Sequence, residues 1–217
     1  SNGDADYTFY KEEPLAATDY SMPEFTDRDY FLFGSYYSIC PGLRPQVKDI
    51  LHAAHRAGTV IYYDINFRRS HIHQKQELLP VIQENCRLSS IVRGSADDFD
   101  ILFGTRDPEE IYRKHISPFC PIFICTAGAG HIFICTPKGT YDFIVPQIPA
   151  NEIVSTVGAG DSFNAGFLCA MHRQAICKAD LADMSHNQWK LLVEHGIKYS
   201  SQVCRSQDNY IKPLSDK

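Results

Sequence analysis

The sequence predicts an α/β protein built on parallel strands, and two stretches carry that reading. In the first, the run Tyr30-Phe31-Leu32-Phe33-Gly34-Ser35 is followed by an amphipathic helix and then by a second apolar run at residues 59–63. Strand, helix and strand at that spacing form a βαβ unit, whose two strands pair in parallel. In the second, a β-branched run at residues 153–157 meets Gly158-Ala159-Gly160-Asp161, and Phe163, Phe167, Leu168 and Met171 follow at helical spacing. A strand, a glycine turn and a helix start together aim free backbone N–H groups and the positive end of a helix dipole at one point. Phosphate is the natural occupant of such a point.

Taken in order, residues 7–10 read as a short strand, and the stretch through Pro14 and Pro23 reads as loop with helix fragments. The continuous run at residues 30–35 has the look of a buried parallel strand. Beyond Pro45, the residues Val47, Ile50, Leu51 and Ala54 mark one helix face, which closes at Ala57-Gly58. Residues 59–63 form the next strand, residues 73–85 a helix and residues 88–92 a strand. Gly94-Ser95-Ala96-Asp97-Asp98-Phe99 opens a further helix, and residues 107–115 make another. Two similar strands at residues 122–125 and 132–135 are joined by Thr126-Ala127-Gly128-Ala129-Gly130-His131. After a turn at Lys138-Gly139, residues 141–145 lead towards the glycine motif, and residues 188–203 form a closing helix.

Composition sets outer limits. At 217 residues the chain suits one domain with an ample core, and 44% hydrophobic with 22% charged residues is ordinary for a globular protein. The net charge of −5 with no basic tract argues against general nucleic-acid binding, while leaving room for a local phosphate site. Apolar runs are short and interrupted, so no membrane span is expected, and no signal peptide is expected either. Eight cysteines are scattered without a C-x-x-C pair. They fit buried free thiols in a reducing cytoplasm, not a disulfide framework or a zinc site.

The chemistry concentrates in three places. An acid inside a phosphate cradle would repel the anion, so Asp161 makes sense there as a base that accepts a proton from an attacking hydroxyl. The plainer reading is that Gly158 and Gly160 shape a turn and Asp161 caps a helix. Asp64-Ile65-Asn66-Phe67-Arg68-Arg69 directly follows a strand, where open α/β sheets bind ligands, although a solvated loop would look the same. The small-residue connection at 126–131 could bring backbone close to nucleotide phosphates or ribose, or be simply a hairpin turn. His71 and His73 read as surface residues, with no acid or cysteine spaced to share a metal.

The string Thr-Val-Gly-Ala-Gly-Asp-Ser-Phe-Asn-Ala-Gly-Phe, residues 156–167, closely resembles the signature of the ribokinase-like, or PfkB, carbohydrate kinases. The resemblance implies a ribokinase-like fold: a mainly parallel sheet with helices on both faces and a small β lid, here largely absent. It implies ATP-dependent phosphorylation of a sugar or sugar-acid hydroxyl in the cytoplasm. Asp161 would be the catalytic base, and the amides of Gly158, Ala159 and Gly160 would form an anion hole. Asp-x-Asn-x-Arg is similar to a motif of the fructokinase and 2-keto-3-deoxygluconate kinase branch, which makes Arg68, with Asp64 and Asn66, phosphate- or substrate-binding. Ser95-x-x-Asp98 stands where that family has Asn-x-x-Glu. Asp98 is then either a water-mediated Mg2+ residue or, with Ser95, a helix cap.

Thr126, Gly128 and Gly130 resemble the family's nucleotide-binding Thr-x-Gly-x-x-Gly region, with the last glycine one residue early. Ser201, Val203 and Cys204 fall where members line the adenine pocket. Ser155 replaces an aspartate of a monovalent-cation loop, which leaves potassium activation an open question at this point. The resemblance covers only the later two-thirds of a typical member. Residues 1–217 therefore read as one incomplete kinase domain that lacks the N-terminal sugar-binding part, with residues 1–25 as a lid remnant or connection. Partners are ATP and a small sugar, and homodimerisation of a longer protein is compatible with the resemblance. The alternatives are a non-catalytic nucleotide- or sugar-binding regulator of the same fold and a nucleoside kinase of the same family.

Overall fold

The computed structural model describes residues 20–128 and 130–211; the strand expected at residues 7–10 lies outside them. Six strands form one sheet in chain order: β1 (Tyr30–Gly34), β2 (Val60–Asp64), β3 (Ile91–Ser95), β4 (Phe123–Ala127), β5 (His131–Thr136) and β6 (Gly139–Ile144). The first four pair in parallel, while β4, β5 and β6 pair antiparallel. Parallel neighbours need crossovers, and helices supply them. The crossovers are α1 (Arg44–Arg56), α2 (Lys75–Leu88), and α3 (Ala96–Phe103) with α4 (Pro108–Ile111) and the wider turn Tyr112–Ile116 that extends it. After the hairpins, α5 (Ala159–Arg173) and α6 (His186–Cys204) complete the molecule.

Strand alternation sorts these helices onto two faces. Val60, Tyr62, Ile91 and Ile124 point to one side and pack with Phe163, Phe167 and Met171 of α5 and with Trp189 and Leu192 of α6. Tyr63, Val92 and Phe123 point to the other, against Ile82 of α2 and Phe99 and Leu102 of α3, while Ile61 meets Leu51 and Ala54 of α1. Each large apolar side chain so buried contributes about 1.5–3 kcal/mol, so both helical layers are firmly held. The expected fold class is present, with helices on both faces. No helix among the described residues is long and apolar enough to cross a membrane.

Several sequence expectations shift. β1 is an edge strand, half-buried, with Leu32 exposed, because only β2 covers it among the described residues. The strand expected at residues 88–92 sits three residues later, since α2 runs on to Leu88. The β-branched run at residues 153–157 is not a strand. It is an irregular segment with Ile153, Val154 and Val157 exposed, and its Val154 N–H donates to the Cys204 carbonyl at the end of α6. His71 is buried, its ring stacked 4.1 Å from Tyr36, whereas His73 is exposed as expected. All eight cysteines are free thiols, five of them buried.

Candidate active site

The site is built where parallel strands end. Gly34 closes β1 against the end of β2 so tightly that a Cβ there would lie 2.0 Å from the Asp64 carbonyl oxygen. The next residues of both strands leave extended geometry together. Ser35 has φ 54° and Asn66 φ 41°, and Asn66 Nδ2 donates to Ser35 Oγ at 2.7 Å. Left-handed backbone is uncommon outside glycine and worth about 1–3 kcal/mol of strain, which the surrounding bonds must hold. Ile65 and Phe67 are buried on either side of Asn66. Alternation then turns Arg68 outward, where it lines the cleft.

Opposite stands the start of α5. Gly158 caps it with φ 80°, and a Cβ there would meet the Asn209 carbonyl oxygen at 2.6 Å, so only glycine fits. The first helical bond runs from Ser162 N–H to the Gly158 carbonyl, 2.9 Å. Of the three amides expected to form an anion hole, that of Ala159 donates to the Thr156 carbonyl at 3.2 Å. The amides of Gly160 and Asp161 have no protein acceptor among the described residues. Asp161, third in the helix, is exposed and faces the cleft.

Between the two walls lies a cleft of about 590 Å³, which gathers Asp64, Asn66, Arg68, Asp98, Gly158, Gly160 and Asp161 from three separate stretches of sequence. Its floor holds a residue that sequence reading missed, Arg93 in β3. Arg93 Nη1 donates to both Asp64 oxygens at 3.1 and 3.0 Å, and Nη2 donates to Thr126 Oγ1 at 2.8 Å. Asn164 of α5, also missed, donates from Nδ2 to Asp64 Oδ2 at 2.6 Å and accepts from the Tyr62 hydroxyl at 3.1 Å. Burial raises the Tyr62 hydroxyl well above the ordinary tyrosine range, so it remains a donor. Burial works most strongly against the Arg93 charge, but Asp64, Tyr62 and Asp98 together outweigh it, and the guanidinium is held more firmly protonated than usual. The signals were available: a lone arginine inside an apolar strand, and an amide three residues after Asp161 on a helix otherwise apolar at that side.

Asp64 and Thr126 are engaged within the protein. Both Asp64 oxygens are occupied within the protein, and the Thr126 hydroxyl supports Arg93, because a buried charge demands partners. Gly128, with φ 63°, and Gly130 belong to the β4–β5 turn and do not line the cleft. Ser201 and Cys204, in the last turn of α6, do not line it either; their carbonyls accept from Arg205 Nη1 and from Val154 N–H. Asp98 forms the capping box: its Oδ2 accepts from Ser95 N–H and Oγ–H, both at 2.7 Å. Burial raises the Asp98 carboxyl above the usual carboxylate value.

Three comparisons bear on this arrangement. Residues 1–207 match the family model described as pfkB family carbohydrate kinase. Aminoimidazole riboside kinase of Salmonella typhimurium is 29% identical over 183 residues, covering 80% of this chain and 54% of that protein. The 2-dehydro-3-deoxygluconokinase of Escherichia coli K12 is 26% identical over 148 residues, 67% of this chain and 48% of its own length. The chain thus spans about half the length of these curated relatives. A crystal structure of a fructokinase double mutant from Vibrio cholerae O395, bound to fructose, ADP and potassium ion, superposes with a TM-score of 0.70. It is 21% identical and covers 87% of this chain and 58% of that one, which establishes the shared fold.

Proposed function

Because the chain belongs to the pfkB family of carbohydrate kinases, we propose that it transfers the γ-phosphoryl group of ATP to a hydroxyl of a sugar or sugar acid. The observation that carries the reading is the exposed Asp161 at the α5 start, beside two amides with no protein acceptor among the described residues and across the cleft from Arg68. Asp161 accepts the proton of the acceptor hydroxyl as its oxygen forms the new bond to the γ-phosphorus. The bond from that phosphorus to the bridging oxygen breaks, and ADP leaves. The Gly160 and Asp161 amides take up charge on the transferring group, helped by the helix dipole, and Arg68 clamps the phosphate or an anionic acceptor.

Magnesium suits this donor set only as a nucleotide-held ion. The described residues contain no group of three carboxylate, histidine or cysteine ligands, and Asp98 leaves one carboxylate oxygen without a protein donor among them. Asp98 would reach such an ion through water, and the ion would neutralise phosphate charge. Residues 1–217 are further read as one incomplete domain whose acceptor-recognising part and lid lie outside it. The similarity to a riboside kinase favours a second acceptor class, a nucleoside.

The deciding experiment couples ADP release to the addition of hexoses, keto-sugar acids and ribosides to the full-length protein. Turnover with one class assigns the acceptor. ATP binding without turnover on any of them would favour the regulator reading instead.

A further inference from the structure

Asp161 and Asn164 lie three residues apart on α5, one exposed and lining the cleft, the other 1% exposed. Helix geometry makes them near neighbours on adjacent turns, so whatever holds Asn164 also sets the direction of Asp161. What holds Asn164 is a buried chain of polar bonds that crosses the ends of three strands. Tyr62 in the middle of β2 donates to its Oδ1, and its Nδ2 donates to Asp64 at the end of the same strand. Asp64 in turn clasps Arg93 of β3, and Arg93 bonds Thr126 of β4. The Arg93 guanidinium also lies under the first turn of α5, where a Cβ on Gly160 would sit 3.4 Å from Nη1 and Nη2.

A helix start with a glycine cap and two amides that find no acceptor among the described residues has little rigidity of its own. Base catalysis needs the carboxylate within hydrogen-bond reach of the acceptor hydroxyl, and a displacement of about 1 Å can cost roughly 10²-fold in rate. We propose that Asn164 is a positioning residue: through the Asp64 carboxylate it fixes the first turn of α5, and so Asp161, against the ends of β2, β3 and β4. Asp64, Arg93 and Thr126 are its anchor, which explains why a motif acid at a strand end faces inward. The kinetic part of this inference rests on the phosphoryl-transfer reading, whereas the mechanical part does not.

The test uses Asn164→Leu, together with Tyr62→Phe/Asn164→Leu, which leaves no orphaned tyrosine hydroxyl should the single variant fold poorly. Amide hydrogen exchange needs no substrate. Exchange at Ser162 to Ala165 is expected to quicken by at least 10-fold while strands β2–β4 keep their protection. In the full-length enzyme, kcat is expected to fall about 10- to 100-fold with the KM for ATP little changed. The decisive arm repeats the substitution in an Asp161→Asn background, where it should change kcat less than about 2-fold, since nothing remains to be positioned. An equal loss of kcat in both backgrounds would overturn the positioning role, and so would unchanged exchange at the α5 start. A wild-type enzyme without turnover on any acceptor would defeat the kinase reading, and exchange alone would then decide the clamp.

Discussion

At Asp161 the proposed function rests on a single carboxylate. Asp161→Asn preserves the shape of the helix start and removes the proton acceptor, so turnover should fall about 10²- to 10⁴-fold. ATP affinity should hold, because losing a negative charge beside phosphate does not weaken phosphate binding. A near-normal rate in steady-state assays would refute the assignment. Asp98 allows a test of a different kind. Burial raises its carboxyl above the ordinary value, so folding favours the protonated form. That contribution is full below the unfolded value of about 3.9 and is lost as pH rises through the raised folded value. Asp98→Asn, neutral throughout, should match the wild-type melting temperature at low pH and exceed it increasingly as pH rises through the raised folded value; a difference that stays flat with pH would refute the buried-charge account. Asp161 was legible in the sequence because its motif is local. Arg93 and Asn164 were not, since their meaning depends on Asp64, 29 and 100 positions away.

At the scale of elements, α5 is set by its glycines. Gly166 crosses α6 so closely that a Cβ would lie 2.7 Å from the His195 carbonyl oxygen, and Gly196 returns the approach against the Phe163 ring at 2.5 Å. Gly166→Ala therefore meets backbone that cannot swing aside, and it should lower stability by about 1–3 kcal/mol in denaturant unfolding. Gly160→Val differs: its Cβ would sit at 3.4 Å from Arg93, tolerable to the fold, while its branches crowd the phosphate approach. Isothermal titration should show impaired ATP binding by a protein that still melts cooperatively. Unchanged affinity would remove Gly160 from the site. Helix α5 and the two hairpin strands were readable from periodicity and turn residues. Residues 153–157 were misread because β-branched residues mark a strand only where a neighbouring strand pairs with them, and this segment bonds to the end of α6 instead.

For the whole molecule, the described residues would supply one side of the proposed reaction. The cleft combines Arg68 and the α5 amides, groups suited to phosphate, with the Asp161 carboxylate, suited to taking a proton, and the curated relatives reported above are about twice as long as the stretch they share with this chain. Phosphoryl transfer also needs the acceptor hydroxyl held near the γ-phosphorus and water kept away from it. A polypeptide of these 217 residues alone is therefore expected to bind ATP weakly and to phosphorylate no sugar. Strand β1 bonds only to β2 among the described residues and leaves Leu32 41% exposed, so that polypeptide should also self-associate along this edge. Calorimetry with ATP, coupled assays with fructose and 2-keto-3-deoxygluconate, and sedimentation would check the three expectations separately. Efficient sugar phosphorylation by the isolated polypeptide would show that its own cleft recognises the acceptor. Arg69 and Arg106 on the cleft rim would then be the first residues to substitute, because they are the remaining cations that line it.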